Sequence, residues 1–228
     1  MSANGPPRAA SYAAARAALV RGLRPAIRDE RVLAAFAAVP RERFVSAAQS
    51  DLAYADQPLP IGHGQTISQP TMVALMLQAL RLAGDEKVLE VGTGSGYQAA
   101  LLAVLAATVV TVELIPSLAA GAARVLGELG YENVAVHLAG EELGRPEEAP
   151  YDAIVVAAAA PRVPLSLVEQ LAPGGRLVIP VGQRESQDLL VVENRPEGHT
   201  VSRHGGCRFV PLLGREAYPA APPDRAGR

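Results

Sequence analysis

The chain has 228 residues, 49% of them hydrophobic and 19% charged, with a formal net charge of −2; such a balance suits a globular protein with a sizeable core and gives no electrostatic case for nucleic acid or an acidic membrane. The single cysteine, Cys207, excludes an internal disulfide, and the opening Met1 to Pro7 lacks the apolar centre of a secretory signal, so a cytoplasmic location is expected. The longest apolar stretch, residues 99–112, is shorter than the roughly 18 residues that span a bilayer, and no membrane segment is expected.

Residues 8–24 and 31–39 are rich in Ala, Arg and Leu and read as two helices ahead of the core. From residue 46 to 70 periodicity disappears while Gly, Pro, Gln and Asp accumulate, a stretch too long for a casual connection and so expected to be a functional loop. Residues 72–82 return to helix. The chain then alternates: strand 88–91, helix 96–106, strand 109–113, helix 117–129, strands 134–138 and 152–157, helix 164–172, strand 176–181. Such alternation predicts an α/β fold with a doubly wound, mainly parallel sheet. Three short runs follow, 188–193, 200–203 and 207–212, separated by turn signals at 196–198 and at Gly205-Gly206, which predict antiparallel strands. The whole is read as a single domain: residues 1–80 a helical cap and substrate loop, 81–183 the nucleotide-binding core, 184–214 the antiparallel strands. The tail, 215–228, and the first several residues are expected to be disordered.

The first strand of the core runs into Gly92, Gly94 and Gly96, with Thr93 and Ser95 between them. Glycine lets a ligand approach the backbone, and a sharp strand-to-helix turn is expected to direct N–H groups at it. The dinucleotide fingerprint G-x-G-x-x-G would place its third glycine at 97, which is Tyr97. Glu90, two residues before the first glycine, would repel a pyrophosphate but not a cationic or zwitterionic ligand. Both departures point to S-adenosylmethionine, a sulfonium. The next strand ends in Glu113, about 20 residues past the turn, where an acid meets ribose hydroxyls in such folds. NAD-binding folds place an acid there too, so Glu113 by itself does not separate cofactors.

Upstream lie Tyr54-Ala55-Asp56-Gln57-Pro58-Leu59-Pro60-Ile61-Gly62 and Gly64-Gln65-Thr66-Ile67-Ser68-Gln69-Pro70. With 88–100, Ala157 to Pro161, Gln170 to Leu177, Pro180-Val181-Gly182 and Phe209-Val210-Pro211-Leu212, they closely resemble the protein-L-isoaspartate O-methyltransferases over most of residues 31–214. The resemblance implies a class I methyltransferase sheet and methyl transfer from S-adenosylmethionine, leaving S-adenosylhomocysteine, to the α-carboxylate of isoaspartyl residues in damaged proteins. The ester then closes to a succinimide. By that likeness Ser68 is the active-site serine. Thr66 and Ile67 line the site shared by donor and acceptor, Thr71 sits near the donor, and Leu114 flanks Glu113. Ile61, Gln65 and Val210 lie on the acceptor side with Asp56, although Asp56 also reads as a cap of the turn at Pro58. The family usually has Gly-Asp-Gly after its third strand, the aspartate facing adenine; here the corresponding run is Ala139-Gly140-Glu141, so Gly140 replaces the acid, and two alternatives are open: Glu141 is the substitute acceptor, or backbone and packing alone hold the adenine.

The chemistry needs no strong base, because a carboxylate is already ionised at neutral pH and methyl transfer is an in-line displacement. A serine hydroxyl can aim a carboxylate with one hydrogen bond, where lysine would hold it as an ion pair. Ser68 also reads as a helix cap ahead of Pro70. His63, His137, His199 and His204 show no metal-ligand spacing, so no metal is expected, and Tyr97 and Gln98 read as packing and capping groups. The acceptor is expected to pair by its backbone with residues 62–67 and 209–212, and the protein to act as a monomer. Repair is favoured over three other readings: an aspartyl ester formed in a dedicated ribosomal peptide; a silent S-adenosylmethionine-binding module, against which Ser68 beside an intact glycine loop argues; and an NAD-dependent oxidoreductase, opposed by the G-x-G-x-G spacing and Glu90.

Overall fold

The computed structural model describes residues 8–219 of the chain; the first seven residues and those beyond 219, expected above to be disordered, lie outside it, whereas 215–219, expected to belong to the disordered tail, are held in place, Tyr218 N–H donating to Leu212 O and Leu165 N–H to Glu216 Oε2, each at 2.9 Å. Two helices, α1 (Arg8–Leu23) and α2 (Glu30–Ala38), open the chain. Asp29 caps α2, its carboxylate accepting from the N–H groups of Arg31 and Val32, which satisfies donors the helix cannot use internally. The stretch expected to be one loop is more structured than its composition suggests. After a short 3-10 turn at Arg41–Phe44, it holds a second at Ala47–Leu52 and then a hairpin of β1 (Leu59–Gly62) and β2 (Gln65–Ile67). His63 and Gly64 at its tip have φ of 53° and 70°, the pair of positive values that a tight two-residue hairpin turn requires.

After α3 (Pro70–Leu80) come β3 (Lys87–Val91), α4 (Tyr97–Leu105), β4 (Thr108–Glu113), α5 (Pro116–Glu128), β5 (Val134–Leu138), β6 (Tyr151–Val156), α6 (Leu165–Val168), β7 (Leu171–Gln183), β8 (Ser186–Arg195) and β9 (Gly198–Cys207). Among the described residues seven strands form one sheet in the order β5-β4-β3-β6-β7-β8-β9. The first five are parallel to their neighbours, and β8 and β9 continue antiparallel. The expected doubly wound sheet with antiparallel C-terminal strands is therefore present. Strand order reverses at β3, which has β4 on one side and β6 on the other; a crevice beyond the carboxyl ends of the strands at that point is where such sheets bind ligands.

Successive residues of β3 feed opposite faces: Val88 packs with α1 to α5, Leu89 and Val91 with α6 and the segments around Leu143 and Leu212. The second face carries little helix because the predicted helix 164–172 stops at Val168. Tyr151 and Leu171 pair as strands instead, and the Gln170 side chain donates to the Leu143 and Ser166 carbonyls at 2.8 Å, so tertiary pairing overrides helix propensity. The expected turn at Gly205-Gly206 is likewise absent: both glycines lie in β9, beside an irregularity in the pairing with β8 between Asp188 and Leu190. Residues 209–212, expected as a strand, run as an extended segment held by Ala159, whose N–H donates to Val210 O at 2.8 Å and whose carbonyl accepts from Leu212 N at 2.7 Å.

Candidate active site

A cavity of about 490 Å³ lies beyond the ends of β3 and β4. Its floor is the glycine turn. Gly94 has φ of +54°, and a Cβ there would come within 3.3 Å of Ile61 Cδ1, so both backbone shape and space disfavour a side chain. Most of the turn's donors are already engaged within the protein, contrary to the expectation of an N–H cradle. Gly92 and Thr93 donate to the Val112 carbonyl and Gly96 donates to that of Thr93, while Gly94 N–H donates to Glu113 Oε2 at 2.7 Å. Four donors engaged inside the protein suit a phosphate poorly and allow close approach of an apolar or cationic group.

Glu113 lines the cavity at the end of β4, with its other oxygen accepting from Ile115 N–H at 2.9 Å. Each oxygen thus holds one backbone N–H and keeps a lone pair for a diol. Leu114 lies beside it, and Gly140 and Glu141 line the far end. A Cβ on Gly140 would meet nothing within 4 Å, so packing does not demand glycine there.

The roof is the β1–β2 hairpin, which contributes Ile61, Gln65, Thr66 and Ile67 and is tied to the start of α5 by a 2.9 Å contact between His63 Nε2 and Ser117 Oγ. Ser68 follows β2 and faces the same cavity, and no hydrogen bond engages its hydroxyl among the described residues. Val210 and Leu212 form the opposite wall, fixed by Ala159 and by Gln187 Oε1, which accepts from Phe209 N–H at 2.9 Å.

Four of the expected site residues lie elsewhere. Glu90 sits beneath the turn, fully buried, with Thr111 Oγ1 donating to it at 2.6 Å and Thr93 Oγ1 within 2.6 Å of Thr111 Oγ1. Burial, with the nearby Glu113 charge adding to it, pushes the Glu90 carboxyl up to about 8, so at neutral pH its protonated form dominates and it offers no charge to a cation. Alternation along β3 turns it into the core rather than toward the ligand. Gly96 packs against Ala122 and Leu126 instead of the cavity.

Thr71 and Asp56 bind each other rather than lining the cavity. Asp56 accepts from Thr71 N–H at 2.8 Å, Thr71 Oγ1 at 2.7 Å and Gln69 Nε2 at 3.0 Å, which orients the loop carrying Ser68 and caps α3, not the turn at Pro58. Partial burial works to raise the Asp56 carboxyl, but these hydrogen bonds outweigh it and hold it below the usual carboxylate range.

Sequence reasoning missed several contributors. Tyr97 and Gln98, read as packing groups, also line the cavity, as do Ala157, Ala158 and Leu213. The Ala157–Pro161 run was a visible signal for the alanines, since it belongs to the family pattern. Arg41 carried none. Its side chain is fully buried, donating to Ala53 O at 2.7 Å and to Ser68 O at 3.1 Å.

The profile of the protein-L-isoaspartate(D-aspartate) O-methyltransferase (PCMT) family matches residues 15–217. This chain belongs to that family. Among its relatives, the protein-L-isoaspartate O-methyltransferase of Anaeromyxobacter dehalogenans is 59% identical over 189 residues, covering 82% of this chain and 90% of the relative. Protein-L-isoaspartate O-methyltransferase 1 of Syntrophobacter fumaroxidans is 54% identical over 189 residues, covering 83% and 88%. A solved protein-L-isoaspartate O-methyltransferase superposes with a TM-score of 0.80 at 28% identity, over 88% of this chain and 67% of that one. A Plasmodium falciparum protein of the family, crystallised with S-adenosyl-L-homocysteine, superposes with a TM-score of 0.72 at 25% identity over 87% and 96%.

The family's methyl donor fits what this chain presents. A Cβ at Gly94 would crowd Ile61, Glu113 stands beside the turn with a lone pair free on each oxygen, and the charged side chains on the cavity wall, Glu113, Glu141 and Glu142, are acidic, which suits a sulfonium compound.

Proposed function

We propose that this PCMT-family protein methylates the α-carboxylate of isoaspartyl residues in proteins and peptides, with Ser68 aiming the acceptor. The observation that carries the reading is Ser68 itself, which lines the same cavity as Glu113 and the glycine turn and whose hydroxyl has no hydrogen-bond partner among the described residues. S-adenosylmethionine, when bound, supplies a methyl group on a good leaving group. The chain's own residues do the rest. Glu113 holds the diol, Gly92 to Ser95 admit the donor against the backbone, and Gly140 with Glu141 borders the base. Ser68 would donate one hydrogen bond to a carboxylate oxygen and leave the other oxygen free as the nucleophile. No proton moves to or from the protein, since the acceptor is already anionic. Ile61, Ile67, Val210 and Leu212 exclude water from the nucleophile; alignment and desolvation of this kind can supply as much as roughly 7 to 11 kcal/mol. The ester then closes to a succinimide by attack of the following backbone nitrogen, expelling methanol.

The acceptor enters between Gln65 and Val210, pairing by its backbone, a mode tolerant of flanking side chains. The protein acts as a monomer in the cytoplasm, without nucleic acid; the lone Cys207 and the net charge of −2 support this. Incubation with tritiated S-adenosylmethionine tests the reading: an isoaspartyl peptide acquires base-labile label and its normal aspartyl isomer stays almost unlabelled. Equal labelling of both isomers would reject the repair assignment in favour of an aspartyl esterification.

A further inference from the structure

The charged wall of the cavity is acidic, yet the acceptor proposed above is an anion. Among the described residues no lysine or arginine lines the cavity. A buried cation stands one layer behind the lining residue Ser68, at Arg41. Its side chain is fully buried. Its Nη2 donates to the Ser68 carbonyl at 3.1 Å and, more weakly, to that of Gln57 at 3.5 Å; its Nε donates to Ala53 O at 2.7 Å; its Cζ lies 4.9 Å from the centre of the Tyr97 ring. Tyr97 is the first residue of α4, directly after the glycine turn, and lines the cavity. One side chain therefore braces both the loop that bears Ser68 and the helix that follows the donor-binding turn. Nη1 has no hydrogen-bond partner among the described residues, which leaves part of the guanidinium charge uncompensated in a low-dielectric setting.

The carboxylate closest to this arrangement does not cancel it. Asp56 is exposed and engaged with Gln69 and Thr71, so water screens its field more than that of the buried Arg41.

We propose that Arg41 is a positioning residue for methyl transfer: through the Ser68 carbonyl it sets the height of the serine hydroxyl, and its buried charge provides the positive potential that draws the acceptor carboxylate into an otherwise acidic cavity. The inference rests on the acceptor reading given above. Arg41 touches neither donor nor acceptor. A lysine would keep the charge but not the planar fork that reaches two carbonyls at once. A methionine would keep much of the volume and lose both.

Two measurements test this. In the first, the intact wild-type protein loaded with S-adenosylhomocysteine is titrated with an isoaspartyl peptide and with the same peptide carrying a neutral carboxamide in place of the α-carboxylate. The carboxylate should bind about tenfold tighter or more, despite the acidic wall; equal or weaker binding overturns the proposal whatever any variant does. In the second, Arg41→Lys should retain that preference while kcat falls about tenfold, and Arg41→Met should abolish the preference with a similar loss in kcat. In both, affinity for S-adenosylhomocysteine should stay within about threefold of wild type. In a Ser68→Ala background Arg41→Met should lower kcat little further, because the hydroxyl it positions is gone. A preference unchanged in Arg41→Met, or effects of the two substitutions that multiply, would reduce Arg41 to a packing residue. If Arg41→Met fails to fold, the wild-type titration and Arg41→Lys decide. Failure of the wild type to label any isoaspartyl peptide refutes the acceptor reading instead, a result separable from the carboxylate preference measured by binding.

Discussion

Ile61 lies directly over Gly94: its Cδ1 is 3.3 Å from the point that a Cβ on Gly94 would occupy. The β1–β2 hairpin thus closes on the glycine turn through the Ile61 side chain, and the cavity is defined as much by the hairpin as by the turn.

Gly94→Ala should therefore act on ligand affinity before stability. The methyl group pushes Ile61 away while φ of +54° adds strain of about 1 kcal/mol. S-adenosylhomocysteine affinity, measured by calorimetry, is expected to fall tenfold or more with a modest loss of thermal stability. Gly96→Ala gives the contrast: its Cβ would press on Ala122 and Leu126 at 3.2 and 3.3 Å, so the melting temperature should drop more and affinity less.

Ser68→Ala removes the one hydroxyl assigned to aim the acceptor. Turnover of an isoaspartyl peptide should fall about 10- to 100-fold, while affinity for S-adenosylhomocysteine stays nearly constant. Loss of binding with normal turnover at saturation would contradict the role.

Glu90 should make the protein less stable as pH rises. Its carboxyl is raised from 4.5 to about 8 in the fold, so the unfolded chain gives up the proton first. Folding stability is greatest below pH 4.5 on this account, declines between about 4.5 and 8, and then levels. Glu90→Gln, which cannot ionise, should flatten that decline; in urea melts it should gain on wild type by more than about 1 kcal/mol between pH 5 and pH 8. Parallel curves for the two proteins would show that Glu90 is ionised at neutrality.

Gly140→Asp should be tolerated, since a Cβ there meets open space. It adds an acceptor at the end of the cavity proposed to border the base and is expected to tighten S-adenosylhomocysteine binding several-fold without moving the melting temperature. Unchanged affinity would mean that Glu141 already supplies that hydrogen bond.

What the residue pattern determined by itself was local and periodic. Val88 to Gly96 declared a buried strand breaking into a glycine turn, because the period of strands and the freedom of glycine are properties of neighbouring residues. The alternation that follows specified the parallel sheet and hence the crevice at β3. The Thr66-Ile67-Ser68 run marked the second half of the site. Three matters were decided only by tertiary structure. Helix 164–172 gave way to strand because Leu171 found Tyr151, a partner distant in sequence. Glu90 turned from ligand-facing acid to buried carboxyl because the sheet has helices on the face it points to. Arg41, one of two arginines in Arg41-Glu42-Arg43-Phe44, became the buried brace of Ser68 across 27 positions of chain, while Arg43 stayed at the surface with Glu128. No neighbour distinguishes the two in sequence; burial is a property of the assembled core, and it alone converts an ordinary guanidinium into a fixed charge behind the active site.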